Sequence, residues 1–174
     1  MALLTSLLLL GFLALTQAQT PGCSLQSGVN DLALNGVASQ ISDLQLPTMG
    51  YAKNAIDDVK DTTYKDGSCT HTTKTPNPWW QVDLQQVYSI SKVIITNRLD
   101  CCSDRLLGAQ VRIGNSPDNN NPVCGTVTSL ASATLPFCCN GMVGQYISVV
   151  IPGRSEYLTL CEVEVYGDRV KGCH

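Results

Sequence analysis

Apolar residues in this chain recur at every second position in short runs, a periodicity that suits strands and leaves no long helical stripe. In Gln145 to Ile151 (QYISVVI), Ile147, Val149 and Ile151 share one face. In Leu160 to Tyr166 (LCEVEVY), Cys161, Val163 and Val165 are expected to face inward, with Glu162 and Glu164 outward. Val111 and Ile113 alternate similarly, and Val93 to Thr96 (VIIT) is the β-branched run of a strand buried on both sides. Turn clusters separate these runs at Thr75-Pro76-Asn77-Pro78, at Asn115 to Asn119 and at Pro152-Gly153-Arg154. Only Ala52 to Asp58 suggests a short helical turn. The pattern predicts an all-β protein, a β-sandwich or jelly roll. Function is expected in loops at one end, above all residues 64–75 and 97–106.

The first 18 residues, MALLTSLLLLGFLALTQA, read as a secretory signal peptide, with Thr16 and Ala18 as the small residues before the cleavage point. Residues 19–174 are then expected to form one secreted, extracellular domain of a length that supports a sizeable core. The apolar leader is too short to span a bilayer comfortably, and no later stretch is longer, so no membrane insertion is expected. All charged residues follow the leader, and the net charge is −3, which is no footprint for nucleic acid.

Nine cysteines in a secreted chain imply a disulfide framework. The odd number leaves one thiol free or paired with another chain. Zinc is a poor alternative, because no Cys-x-x-Cys pair occurs and adjacent cysteines chelate a tetrahedral ion badly.

The chemistry concentrates in Asn97 to Arg105, NRLDCCSDR. Arg98 and Arg105 offer planar, permanently charged donors that can grip the hydroxyls and ring oxygen of a sugar. Asp100 is placed to hold a guanidinium in a fixed orientation, which reduces the entropy lost on binding. Without a ligand, the same charges would form only a solvated surface patch. Cys101 and Cys102 are neighbours, and adjacent Cα atoms lie about 3.8 Å apart, below the usual disulfide range of about 4.4–6.8 Å. A bridge between them is a compact strained ring; two separate bridges to distant cysteines are the alternative. His71, in GSCTHTT, offers ring nitrogens, one of which could donate to a hydroxyl.

Together these residues resemble the F-type lectins, the fucolectin family. The family motif is a His, 26 residues, Arg-x-Asp, four residues, and a second Arg or Lys; here His71, Arg98-Leu99-Asp100 and Arg105 fill every position. NPWWQVDL (77–84), NGMVG (140–144) and LCEVEVYG (160–167) are also similar to family stretches, so the likeness runs from about residue 30 to 167.

The resemblance implies a discoidin-like jelly-roll β-sandwich that binds L-fucose on fucosylated glycans. His71, Arg98 and Arg105 would bond the axial 4-hydroxyl, its neighbour and the ring oxygen. Asp100 would orient the arginines, a Cys101–Cys102 bridge would stack on the ring, Tyr64 would cover the C6 methyl group, and Lys65 could reach an adjoining sugar. It further implies Ca2+, held by carbonyls of Asn54, Val59 and Cys161, carboxylates of Asp57 and Glu162, and oxygens of Ser68, a hard-oxygen shell. Val59 stands where Asn is frequent, a change that a carbonyl ligand survives. The implied disulfides are Cys69–Cys161 and Cys124–Cys139, beside the vicinal pair. Cys23, Cys138 and Cys173 remain; Cys23 with Cys173 would leave Cys138 free, and an intermolecular bridge is equally admissible. Trp79 and Trp80 read as core residues, not sugar platforms.

A glycosidase would need two carboxylates flanking the bond, whereas Asp100 and Asp104 sit beside arginines that oppose general-acid use. Neither a Gly-x-Ser-x-Gly elbow nor a His-Glu-x-x-His motif occurs, so no enzyme is expected. A discoidin-like adhesion domain binding another glycan, lipid or protein is the competing class, but its lipid contacts need apolar loop tips, and these loops are polar. With one motif per chain, homo-oligomers are the expected route to avidity, in innate immune recognition or agglutination by analogy with the family.

Overall fold

A computed structural model describes residues 30–45 and 48–170; the leader Met1–Ala18, Cys23 and Cys173 lie outside the described residues. Eight strands occur among them: β1 (Val37–Gln40), β2 (Thr75–Pro76), β3 (Trp79–Thr96), β4 (Gln110–Gly114), β5 (Val123–Thr126), β6 (Thr134–Val150), β7 (Ser155–Glu156) and β8 (Glu162–Arg169). All pairings are antiparallel.

Two long strands build both layers of the sandwich. The first part of β3 pairs with β1 through Val37↔Asp83 to Gln40↔Trp80, and its second part pairs with β8 through Tyr88↔Arg169 to Thr96↔Glu162. β3 also pairs with β6, with register shifts between Asp83 and Tyr88 and between Ile90 and Lys92. The end of β6 carries β4, which carries β5. Strands that bend at irregularities and pass between layers are how sandwiches make corners. Gln85 and, within β6, Asn140 and Gly141 supply left-handed backbone there (φ 64°, 52° and 80°).

The alternating residues fill the interior. Ile147, Val149, Ile151, Val163 and Val165 are fully buried with Val93, Ile95, Val111 and Ile113. Trp80 is fully buried, and its indole N–H donates to the Ala52 carbonyl at 2.9 Å. Trp79 is half-buried. The expected helical turn is a 3-10 turn at Ala52–Ala55, and further 3-10 turns form at Ala33–Asn35, Tyr64–Asp66 and Ser103–Leu106.

One expectation fails on the outer face of β8. Glu162 and Glu164 were expected to face solvent, yet they are 0% and 7% exposed. The loop after residue 56 covers them: the Asp58 N–H donates to Glu162 at 3.3 Å, and the Lys60 ammonium donates to Glu164 at 2.9 Å. The period of two is right; the outer face is roofed by polar partners instead of water.

The three implied disulfides are present, Cys69–Cys161, Cys101–Cys102 and Cys124–Cys139. Cys138, which the terminal pairing would leave free, is disulfide-bonded.

Candidate functional site

The loop carrying His71 is laced to the chain segment entering β8. Thr70 and Thr72 donate backbone N–H groups to Leu160 and Leu158 at 2.7 and 3.0 Å, and their hydroxyls accept from the same residues at 3.0 and 2.9 Å. The Cys69–Cys161 bridge fixes the start of this lacing. On the other side, His71 donates its N–H to Gly50 at 3.0 Å and accepts from Leu44 at 2.8 Å. A Cβ at Gly50 would lie 2.6 Å from His71 Cβ, so the close approach requires glycine there.

His71 is 5% exposed, and its Nδ1 lies 2.8 Å from the Thr72 carbonyl. A carbonyl only accepts, so Nδ1 carries a proton. Burial, with smaller contributions from Arg98 and Arg105, holds the ring pKa below 6.5 and keeps it neutral at pH 7. Nε2 therefore presents a lone pair, which suits a hydroxyl donor, whereas the sequence alone suggests a ring nitrogen that donates.

Arg98 is 7% exposed and forms a two-pronged ion pair with Asp100, Nε to Oδ1 at 2.6 Å and Nη2 to Oδ2 at 3.0 Å. Hydrogen bonding to Arg98 lowers the Asp100 pKa below its ordinary 3.8. The guanidinium lies over the Tyr64 ring, 4.8 Å from its centroid. Tyr64 donates its hydroxyl to the Thr48 carbonyl and its backbone N–H to Asp100 at 3.3 Å. With only 3% of its surface exposed, Tyr64 is a platform beneath Arg98 and against His71, and it offers no face to a ligand methyl group.

Arg105 is braced by different residues. Its Nε lies 3.7 Å from a Glu156 carboxylate oxygen, and its guanidinium carbon lies 4.7 Å from the centroid of Tyr157. Asp100 thus braces Arg98, while among the described residues the ion pair of Arg105 is with Glu156. The pairing of β2 with β7, Thr75↔Glu156, holds Glu156 beside the His71 loop. Arg154 donates to the carbonyls of Arg105 and Leu107, both at 2.7 Å, and clamps the 3-10 turn. None of these three residues has a local sequence signal, since each acts on a turn about 50 positions upstream.

The aromatic rings link the two arms. His71 sits 4.9 Å from Tyr64 and 5.5 Å from Tyr157, centroid to centroid. Guanidinium, tyrosine, histidine, tyrosine and guanidinium form one continuous chain of contacts. The Cys101–Cys102 ring lies between the arms in sequence, with Cys101 exposed and Cys102 in the left-handed region at φ 58°. Asn97, 1% exposed, donates to the Ser103 carbonyl at 3.0 Å and closes the loop that holds the ring.

The implied calcium residues lie beside the Arg98 arm. Asn54 is buried and donates to the carbonyls of Met49, Gly67 and Cys69. The Ser68 hydroxyl lies 2.8 Å from the Asp61 carbonyl, and Asp57 accepts from the Val59 N–H at 3.0 Å. Among the described residues, no group of three or more His, Cys, Asp or Glu is placed to hold a metal. The implied shell rests instead on carbonyls and two carboxylates. Glu162 is its test: Oε2 is buried without a hydrogen-bond partner, and burial, with Asp57, Asp31 and Glu164 nearby, pushes its carboxyl up to about 8. A buried carboxyl with an unpartnered oxygen, protonated for want of a cation, fits a hard divalent ion that would replace the proton.

A rigid sandwich that presents fixed donors and one acceptor from its loops is built as a binding module for small polar ligands. Comparison with known proteins narrows that class. Residues 54–149 match the family described as NedA-like, galactose-binding domain. Fucolectin-4 of Anguilla japonica is 44% identical over 92% of this chain and 94% of its own length. A fucolectin from the serum of striped bass, Morone saxatilis, superimposes with a TM-score of 0.77 at 48% identity over 83% of this chain; the match spans 49% of that lectin's chain. A Streptococcus pneumoniae fucose binding module superimposes with a TM-score of 0.73 at 30% identity over 81% of this chain and all of its own. The chain belongs to the fucolectin, or F-type lectin, family, and it is a lectin-type module, not an enzyme.

Proposed function

We propose that this chain is a secreted lectin that binds L-fucose on glycoconjugates. The observation that carries the reading is the braced triangle of His71, Arg98 and Arg105, two donors and one acceptor joined through Tyr64 and Tyr157. An axial 4-hydroxyl suits it, donating to His71 Nε2 while accepting from a guanidinium; the neighbouring hydroxyl and ring oxygen accept from the remaining N–H groups. The compact Cys101–Cys102 ring gives the sugar's apolar face a polarizable surface. Fucose-binding relatives and a serum lectin among the similar structures support this ligand and an extracellular setting.

Calcium belongs to the same proposal as a structural support. Asp57 and Glu162 would hold it by carboxylates, Asn54, Val59 and Cys161 by carbonyls, and Ser68 by its oxygens, next to the loop that carries Tyr64. There Glu162 would give up the proton that burial favours and bind as a carboxylate, and the occupied shell would support the Arg98 arm. A single shallow monosaccharide site binds weakly, so homo-oligomers would supply avidity for agglutination or innate recognition of fucosylated surfaces.

A glycan array with and without EDTA tests the reading. Wild type is expected to select fucosylated glycans, and His71→Ala and Arg98→Ala to lose that selection. Fucose binding retained in both variants would place the site elsewhere.

A further inference from the structure

We propose a second saccharide-binding groove, between β1 and the 3-10 turn Ala52–Ala55, that takes a neutral hexopyranose. The proposal does not depend on the fucose reading. The groove is open to solvent and has a volume of about 560 Å3, within the range of about 300–1,000 Å3 usual for small-molecule sites. Its lining falls into two chemistries. Ala38 and Ala52 supply small apolar surface beside Tyr51, an aromatic residue left 40% exposed. Ser39, Gln40 and Asp43 supply hydroxyl, amide and carboxylate.

The polar side is fixed before any ligand arrives. The Gln40 amide donates to Asp43 Oδ1 and to the Gly50 carbonyl, both at 2.7 Å. Asp43 Oδ2 remains to accept from vicinal hydroxyls, and little entropy is lost in ordering the pair. The Lys53 ammonium lies beside the Tyr51 ring, 5.8 Å from its centroid. A pyranose has one apolar face for the ring and an edge of hydroxyls for Asp43 and Gln40. Lys53 and Asp43 offset each other's charge, which favours a neutral sugar over an acidic one.

The groove backs onto the loop of the basic site. The Gly50 carbonyl that accepts from Gln40 also accepts from His71 N–H. The hexopyranose can therefore come from an inner residue of a fucosylated glycan or from a separate glycan chain.

Calorimetric titration separates these sources and tests the groove. Methyl α-L-fucoside, fucosylated oligosaccharides and fucose-free galactose oligosaccharides are titrated into wild type, Tyr51→Ala, Tyr51→Phe, Asp43→Asn and Arg98→Ala. Tyr51→Ala is expected to weaken oligosaccharides by about five- to tenfold, the effect of one lost aromatic contact, while leaving methyl fucoside unchanged. Tyr51→Phe restores the affinity, and Asp43→Asn weakens it in a protein whose groove keeps its shape. Fucose-free sugar bound by Arg98→Ala assigns the groove to a separate chain; loss of all binding in Arg98→Ala, with Tyr51→Ala still weakening the wild type, assigns it to the same glycan. Oligosaccharide affinities equal in wild type, Tyr51→Ala and Asp43→Asn overturn the proposal. A failure of methyl fucoside to bind wild type would sink the fucose reading and leave the groove to be judged on fucose-free sugars.

Discussion

The two arginine arms use the same parts to different effect. Each guanidinium lies over a tyrosine and faces a carboxylate. The Arg98 side chain is 9% exposed and is gripped by both oxygens of Asp100, whereas the Arg105 side chain is 28% exposed and has one long contact, 3.7 Å, with Glu156. Their anchors differ too. The Arg98 arm rests on Tyr64 and on Leu99, which donates to the Thr62 carbonyl, next to the proposed calcium loop; the Arg105 arm rests on β7 and the clamp from Arg154. One guanidinium is thus held fixed, and the other has room to adjust. Preset donors lose least entropy on binding.

The comparison breaks most readily at Arg98. Arg98→Ala removes charged hydrogen bonds and strands Asp100, and is expected to cost about 3 kcal/mol or more of fucoside affinity, roughly a hundredfold. Asp100→Ala leaves the guanidinium free to wander and is expected to cost about 1–3 kcal/mol, measured by the same calorimetric titration. EDTA is next: it should lower the melting temperature and weaken fucoside by loosening the Arg98 arm, and the loss should be equal in wild type and Glu156→Gln. A larger EDTA effect in Glu156→Gln would mean that the arms are not independent.

His71 belongs to both arms and gives a pH test. Its pKa in the folded chain is lowered from 6.5, chiefly by burial. Its contribution to stability is therefore complete above 6.5 and is lost as pH falls through the lowered value. Fucoside affinity should follow the same course, because protonation removes the Nε2 acceptor. Affinity that rises on acidification would show that His71 donates. The smallest effect belongs to Glu156→Gln, about 0.5–1 kcal/mol, as expected of a partly exposed contact. It should shrink further at high salt, which Asp100→Ala should resist.

Much of the fold was legible because burial and alternation coincide along strands such as Gln145 to Ile151. It was not legible where the covering came from far away in sequence. Glu162 and Glu164 alternate like surface residues, and only the folded loop through Asp58 and Lys60 shows that they are roofed. The grouping of His71, Arg98 and Arg105 could be read from spacing and resemblance, yet its bracing could not. Asp100 lies two positions from its arginine and was visible; Glu156 and Tyr157 reach Arg105 only through the β2–β7 pairing. Tyr64 was visible as an aromatic beside the site, but sequence does not say whether a ring faces the ligand or the arginine, and here it faces the arginine.

The most direct measurement is a calorimetric titration of methyl α-L-fucoside into wild type and Arg98→Lys, with the melting temperature of each recorded. Lysine keeps the charge and loses the planar fork that Asp100 grips. A saturable one-to-one isotherm for wild type, and binding at least tenfold weaker for Arg98→Lys at an unchanged melting temperature, is the predicted result. Equal affinity in the two proteins would contradict a preset Arg98 as the centre of the site.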